Sequence, residues 1–375
     1  MASKTAIHPV LGTRELNRAT LARQLLLRRA PRTEMPVAAA VAHLVGLQAQ
    51  NVKPPYYALD ARLEAFDPQE LSTLMEAREV GRLVTVRSTI HTHTADDCLR
   101  LRPLVQPARD RELAQFRAGL VGVDLERLAA LARELVEADP RTMKELREAL
   151  LAHWPDADPF ALSVAARCSL PLVQVTPRGL WGRSGQVRLT TAERWFGRPS
   201  EPEPDAEDAV RRYLAAFGPA SVKDFQTWSG LTRTREVFER LRPGLAVFQD
   251  EHGVELFDLP DAPRPDADTP APVRLLPEFD NLLLSHADRR RVVSAEHKAL
   301  TWRGNQAYCT FLLDGFLAGI WRLEETADTA TVTLEPFDAP TRAQREELAG
   351  EAERMLRGMR AGAAHEVRFG QVGAA

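Results

Sequence analysis

Two glutamines separated by a single alanine, Gln48 and Gln50 in "HLVGLQAQNVKPPYYALD", stand at the end of an apolar helical stretch and just ahead of Pro54 and Pro55. A primary amide is neither a strong base nor a nucleophile, but its carbonyl oxygen accepts a hydrogen bond and carries partial negative charge. Two such oxygens can hold one water and face a developing cation. This suits a reaction whose leaving group departs without protonation and whose cationic centre is trapped by water. On an ideal helix, residues two apart diverge by about 200°, so the amides converge only if the helix stops between them. Prolines push the residues before them towards extended backbone. Gln48 is therefore expected in the last helical turn and Gln50 beyond it. Without that chemistry, the pair would cap helix carbonyls and contact solvent.

Other residues compete for a role. "IHTHTADD" puts His91 and His93 two apart on an expected strand, hence on one face. With Asp96 or Asp97 they form a conceivable metal set, but the third ligand would come from a turn, so no metal is expected. Arg87, Thr89, His91 and His93 are read instead as a polar edge near the glutamines, suited to contact phosphate or sugar, with structural hairpin residues as the other reading. The tip "TPRGLWGRSGQVR" offers Arg178, Trp181, Arg183 and Arg188 to a groove or a stacked base, with Trp181 folded back onto its own module as the other reading. "DNLLLSHADRRRVV" adds Asp280 as a rival carboxylate, and Arg289, Arg290 and Arg291 as a basic edge or a solvated face.

These side chains need a scaffold, and a chain of 375 residues is long enough for several domains. Hydrophobic residues at 44% and charged residues at 27% exclude a disordered chain. No apolar run approaches the roughly 18 residues of a membrane span, and the opening "MASKTAIHPV" has no signal-peptide character. Cys98, Cys168 and Cys309 lie far apart, which fits a reducing compartment. A cytoplasmic protein with no membrane partner is expected. A net charge of −3, taken by itself, argues against a nucleic-acid partner. Only five of the 49 basic residues are lysine. GC-rich codon usage explains that bias, and so does the guanidinium's fit to phosphate and guanine. Few lysines also leave few candidates for Schiff-base chemistry.

One pattern recurs three times, with three short amphipathic helices followed by two strands. The helices are "LNRATLARQLLLRRA", "PVAAAVAHLVGLQ" and "PQELSTLMEAREV"; then "DLERLAALARELVEA", "TMKELREALLAHW" and "DPFALSVAARCS"; then "EDAVRRYLAAFG", "SVKDFQTWSG" and "TRTREVFERL". Asp124, Thr142, Asp158, Ser221 and Thr232 are expected caps. Three helices and a hairpin make a winged helix. The expected fold is α+β and mainly helical. Tandem winged-helix modules are expected at residues 10–120, 121–200 and 201–262, followed by a small antiparallel β-barrel and a C-terminal helix at 270–375. The barrel strands are read from "VRLLPEF", "LLLS", "RRVVS", "AYCTFLLDGFLAGIWRL" and "ATVTLEPF".

The ordered set "LNRATLARQLLL", "HLVGLQAQ", "VRSTIHTHTADD", "LLPEFDNLLLSHADRRRVV" and "LLDGFLAGIWR" resembles the AlkZ-like winged-helix DNA glycosylases over nearly the whole length. The resemblance implies a monofunctional enzyme without cofactor that excises N-alkylated purines, such as N7-alkylguanine and N3-alkyladenine, from double-stranded DNA. In some members it implies unhooking of interstrand crosslinks, as self-resistance to a DNA-alkylating natural product. The family's catalytic element, glutamine, an apolar residue, then glutamine or aspartate, matches Gln48, Ala49 and Gln50. Ala49 is smaller than the usual middle residue. The alternative is a non-enzymatic winged-helix transcriptional regulator, which would be expected to dimerise on two half-sites. Three unequal modules closed by a further domain suggest a monomer.

Overall fold

The computed structural model describes residues 8–373. The opening residues 1–7, part of the stretch read as lacking signal-peptide character, lie outside the described residues.

Local signals set most of the helices. Asp124, Thr142, Asp158 and Ser221 each accept a backbone N–H at the start of Leu125–Ala138, Met143–Leu151, Pro159–Ser169 and Val222–Ser229. Such a cap satisfies a donor that the helix leaves unpaired. Thr232 is not a cap, because the next helix, Arg235–Leu241, starts after Thr234. Gly230 ends Val222–Ser229 in the left-handed region at φ 76°, which makes the sharp turn between these two helices.

Helices followed by a hairpin do recur three times, but the first two hairpins are not separate. Val80–Val84 pairs with Ile90–Thr94, and Leu172–Gln174 with Leu189–Thr191, all antiparallel. Val80–Val84 also pairs with Leu172–Gln174, with Arg82 opposite Gln174. Leu47–Gln48 adds an edge to Ile90–Thr94, completing one five-stranded sheet. The third hairpin, Ala246–Asp250 with Glu255–Asp258, takes Val10–Leu11 as a parallel neighbour.

The expected β-barrel is not formed. Five strands make an open sheet in the order Ala364–Phe369, Thr329–Pro336, Phe316–Glu325, Cys309–Leu313, Arg274–Leu276. "LLLS" is instead a helical turn, Asn281–Leu284, and "RRVVS" is an irregular turn, so two of the strands read for closure are missing. The helix Arg342–Met359 crosses from Thr329–Pro336 to Ala364–Phe369, which makes that pair parallel. Its Leu348, Ala352, Met355 and Leu356 pack in one core with Leu275, Phe311, Val332 and Leu334 of the sheet. The helix covers the face that barrel closure would have buried.

The same core takes in Val37, Val41 and Leu44, together with Tyr56 and Tyr57, so the segment carrying the glutamines is seated against the C-terminal sheet. A second core is largely aromatic, with Tyr213, Phe217, Phe225, Trp228, Phe238 and Phe257. Buried ion pairs tie distant segments together. Arg62 holds Asp280 with both side chains fully buried, and Arg23 likewise holds Asp258. Among the described residues, no helix is long and apolar enough to cross a membrane.

Candidate active site

The helix Val37–His43 stops well before the glutamines. Val45 (φ 51°) and Gly46 (φ 86°) both lie in the left-handed region, which reverses the chain. A β-branched residue rarely adopts that conformation, so the surroundings must impose it. Asn281 does so by donating from Nδ2 to the carbonyls of Leu44 (3.2 Å) and Gly46 (2.8 Å). A Cβ at Gly46 would sit 2.2 Å from the His93 ring, so no other residue fits.

Past the reversal, Leu47–Gln48 runs as a strand with Gln48 opposite His91, and the Ala49 N–H donates to the Ile90 carbonyl at 2.7 Å. Gln48 is thus in a strand, not in the last turn of a helix as its neighbours suggested. Gln50 lies outside any helix, at a bend. Ala49 is fully buried, and its carbonyl accepts from Arg82 Nη2 at 2.7 Å.

The two amides meet different surroundings. Gln48 is buried, and its Oε1 accepts from Arg87 Nη2 at 2.9 Å. The same guanidinium donates to His91 Nε2 (3.1 Å) and, through Nη1, to the Trp228 carbonyl (3.2 Å). His91 Nδ1 lies 3.0 Å from the Thr89 carbonyl, so it carries the proton and leaves Nε2 as the acceptor. Burial first, and the Arg87 charge second, hold the His91 pKa well below its usual value, consistent with a neutral ring. Burial lowers Arg87 to about 10, so it stays a cation at neutral pH. Arg87 and Ser88 both have positive φ, 54° and 56°, a strained turn that aims the guanidinium inwards.

Gln50 is exposed and lines a cavity of about 340 Å³ between the first two hairpins. Arg82, Arg102, Arg167, Arg178 and Gln174 also line it, over apolar side chains that include Leu172 and Leu189. No carboxylate is among the described residues lining it. No hydrogen bond joins Gln48 to Gln50 among the described residues.

The other expected site residues are mostly turned inwards. His93 stacks on His91 at 5.5 Å between ring centroids, and its Nε2 lies 2.8 Å from Thr85 Oγ1. Burial lowers its pKa to about 4 against the opposing pull of Asp97. Thr89 Oγ1 donates to the Val86 carbonyl, and Asp97 is paired with Arg212. Arg87, Thr89, His91 and His93 therefore form the support behind Gln48 rather than an exposed edge. Trp181 folds back onto Tyr56 (4.9 Å) and Tyr57 (5.9 Å), and its backbone N–H donates to Ser72 Oγ. Arg188 is engaged by Asp139 and Glu145. Arg183 stays exposed, and Arg178 lines the cavity. Both Asp280 oxygens accept from Arg62 at 2.8 Å, and Oδ1 also caps the following turn, so this carboxylate is committed to structure.

Arg82 and Asn281 hold the motif's backbone, yet neither drew attention in the sequence. Asn281 lies within "EFDNLLL", where its neighbour Asp280 seemed the more reactive group.

A family model described as DNA glycosylase AlkZ-like matches residues 41–357. The chain is 26% identical over 355 residues to the interstrand DNA cross-link repair glycosylase of Streptomyces sahachiroi, which spans 85% of this chain and 91% of that protein. The solved structure of Streptomyces sahachiroi DNA glycosylase AlkZ aligns with a TM-score of 0.77 at 20% identity, covering 96% of this chain and 100% of that one.

Proposed function

The chain belongs to the AlkZ-like family of DNA glycosylases, and on that premise we propose that it hydrolyses the N-glycosidic bond of N-alkylated purines in double-stranded DNA. N7-alkylguanine and N3-alkyladenine are the substrates that suit an amide-based site, and the same chemistry would unhook an interstrand crosslink anchored at N7 of guanine. The protein would act as a monomer in the cytoplasm, at the nucleoid, as repair or as self-resistance to an alkylating natural product. Three winged-helix units at 10–120, 121–200 and 201–262, the first two joined through one sheet, are proposed as the DNA grip.

The observation that carries this reading is the exposed Gln50 amide at the edge of an arginine-bearing cavity, on a backbone pinned by Arg82 and Asn281. An alkylated purine is already cationic. The C1′–N bond breaks with its electron pair passing to the base, which leaves neutral. Water adds to the resulting oxocarbenium carbon, and its proton passes to solvent. Gln50 Oε1 would accept from that water and oppose the cation. Gln48 Oε1 keeps one lone pair after accepting from Arg87, so it can help hold the same water only from its fixed position. Its partner Arg87 is a cation, so its electrostatic help to an oxocarbenium is weaker than that of Gln50. The step assigns no role to a metal or organic cofactor.

The test is excision. A duplex containing N7-methylguanine and a duplex with an N7-linked interstrand crosslink are incubated with the protein, then heated to cleave abasic sites. Strand scission at the lesion supports the proposal. Tight binding with an intact strand would indicate a regulator instead.

A further inference from the structure

Arginines are abundant in this protein, and many face carboxylates. The cavity beside Gln50 is different. Arg82, Arg102 and Arg178 make no ion pair among the described residues, and Arg167 shares Glu112 with Arg109. Arg82 is 2% exposed, and its Nε and Nη1 have no hydrogen-bond partner. Arg178 Nε, Arg167 Nε and Gln174 Oε1 are also buried without partners. Arg82 and Gln174 are cross-strand neighbours, so these two unsatisfied groups enter the cavity side by side. An unpaired buried guanidinium costs stability, so a fold that gathers several around one space needs a compensating ligand.

The charge determines what that ligand is. A cationic alkylpurine would be repelled, because among the described residues no carboxylate offsets Arg82, Arg102 or Arg178. An anion is favoured, and in a space walled by apolar groups each guanidinium contact counts for more than in water. Resting on the glycosylase reading, we infer that this cavity is an anion subsite that receives a phosphodiester of the damaged strand, next to the nucleotide whose base leaves at Gln50. The phosphate neutralises the arginines and contributes negative charge near the developing oxocarbenium. The damaged strand is thereby the source of the charge that the glutamine amides supply only in part.

Arg178 and Arg167 are only half-buried, so glutamine at either position leaves the core intact. Arg82→Gln serves as a third variant, with its melting curve recorded to confirm folding. Binding is measured to a duplex carrying an uncleavable abasic analogue, with each flanking phosphate replaced in turn by a neutral methylphosphonate. One position is expected to weaken wild-type binding roughly tenfold. Arg178→Gln and Arg167→Gln should weaken it comparably, be insensitive to the methylphosphonate at that position, and reduce the salt slope by about one. Strictly additive losses at every position would overturn the inference. So would protection by millimolar inorganic phosphate with no dependence on any methylphosphonate, which would indicate a site for the free ion. The duplex cannot be cleaved, so a protein that fails to excise yet shows the coupled phosphate would sink the glycosylase reading and leave this subsite standing.

Discussion

The Arg87 guanidinium donates to the Gln48 amide oxygen at 2.9 Å, from a backbone turn held at positive φ. A residue that looked suited to a DNA phosphate is instead spent on orienting an amide. Its other contacts, His91 and the Trp228 carbonyl, link the first hairpin to the third helical set. Removing it should loosen Gln48 without removing a DNA contact. Arg87→Met is expected to slow single-turnover excision roughly tenfold or more while duplex affinity changes less than threefold. Arg87→Lys should recover little, because an ammonium cannot reproduce the planar fork. A variant that loses affinity and salt dependence at unchanged rate would put Arg87 on the DNA after all.

Asn281 braces the reversal at Val45 and Gly46 through two carbonyls. Asn281→Ala leaves both acceptors unpaired in a buried place, at a cost of about 1–3 kcal/mol. Excision should fall as well, since the strained turn positions the motif. Asn281→Asp should be no better, because a carboxylate has no donor. Urea denaturation beside single-turnover rates checks this, and a stable, fully active Asn281→Ala would contradict it.

Asp280 is predicted to be structural. Asp280→Asn strands Arg62 in the core, and breaking such a pair typically costs about 3–5 kcal/mol. The paired replacement Arg62→Met with Asp280→Leu should recover much of that stability and retain excision. Loss of excision in a well-folded double variant would return Asp280 to the list of catalytic candidates.

Much of this was legible locally, and the failures share a cause. The caps at Asp124, Thr142, Asp158 and Ser221 act within one turn, so the helices they open could be read directly. The strand "TIHTHT" also follows from its own alternation. The strand at Gln48 is two residues long, and a distant asparagine enforces the turn before it. No local pattern contains that information. The open sheet is a similar case. Whether strands close depends on what covers their face, and here Arg342–Met359 does. For Trp181 the exposed and folded-back readings stayed open, and its actual partners, Tyr56 and Tyr57, lie in another module, far away in sequence.

The buried histidines predict acid sensitivity. His93 has a folded pKa of about 4 against an unfolded value near 6.5, and His91 is also depressed, both chiefly through burial. Between these values the unfolded chain binds more protons than the folded one, so stability rises with pH. It is therefore retained above about pH 6.5 and lost as the pH falls towards 4, by up to about 1.4 kcal/mol per unit for each group. Denaturation midpoints across that range should show the slope, and His93→Gln should flatten it. A slope unchanged in that variant would assign the effect to other groups.

The central claim is that Gln50 supplies the chemistry and Gln48, held by Arg87, assists. Single-turnover excision of N7-methylguanine, measured beside duplex affinity, tests it most directly. Gln50→Ala should lower the rate by roughly 10² or more with affinity nearly unchanged. Gln50→Asp should retain substantial activity, because its oxygen also accepts from water and opposes the cation. The Gln48→Ala/Gln50→Ala double variant should be little slower than Gln50→Ala alone. A Gln50→Ala protein that excises at the wild-type rate would contradict the account.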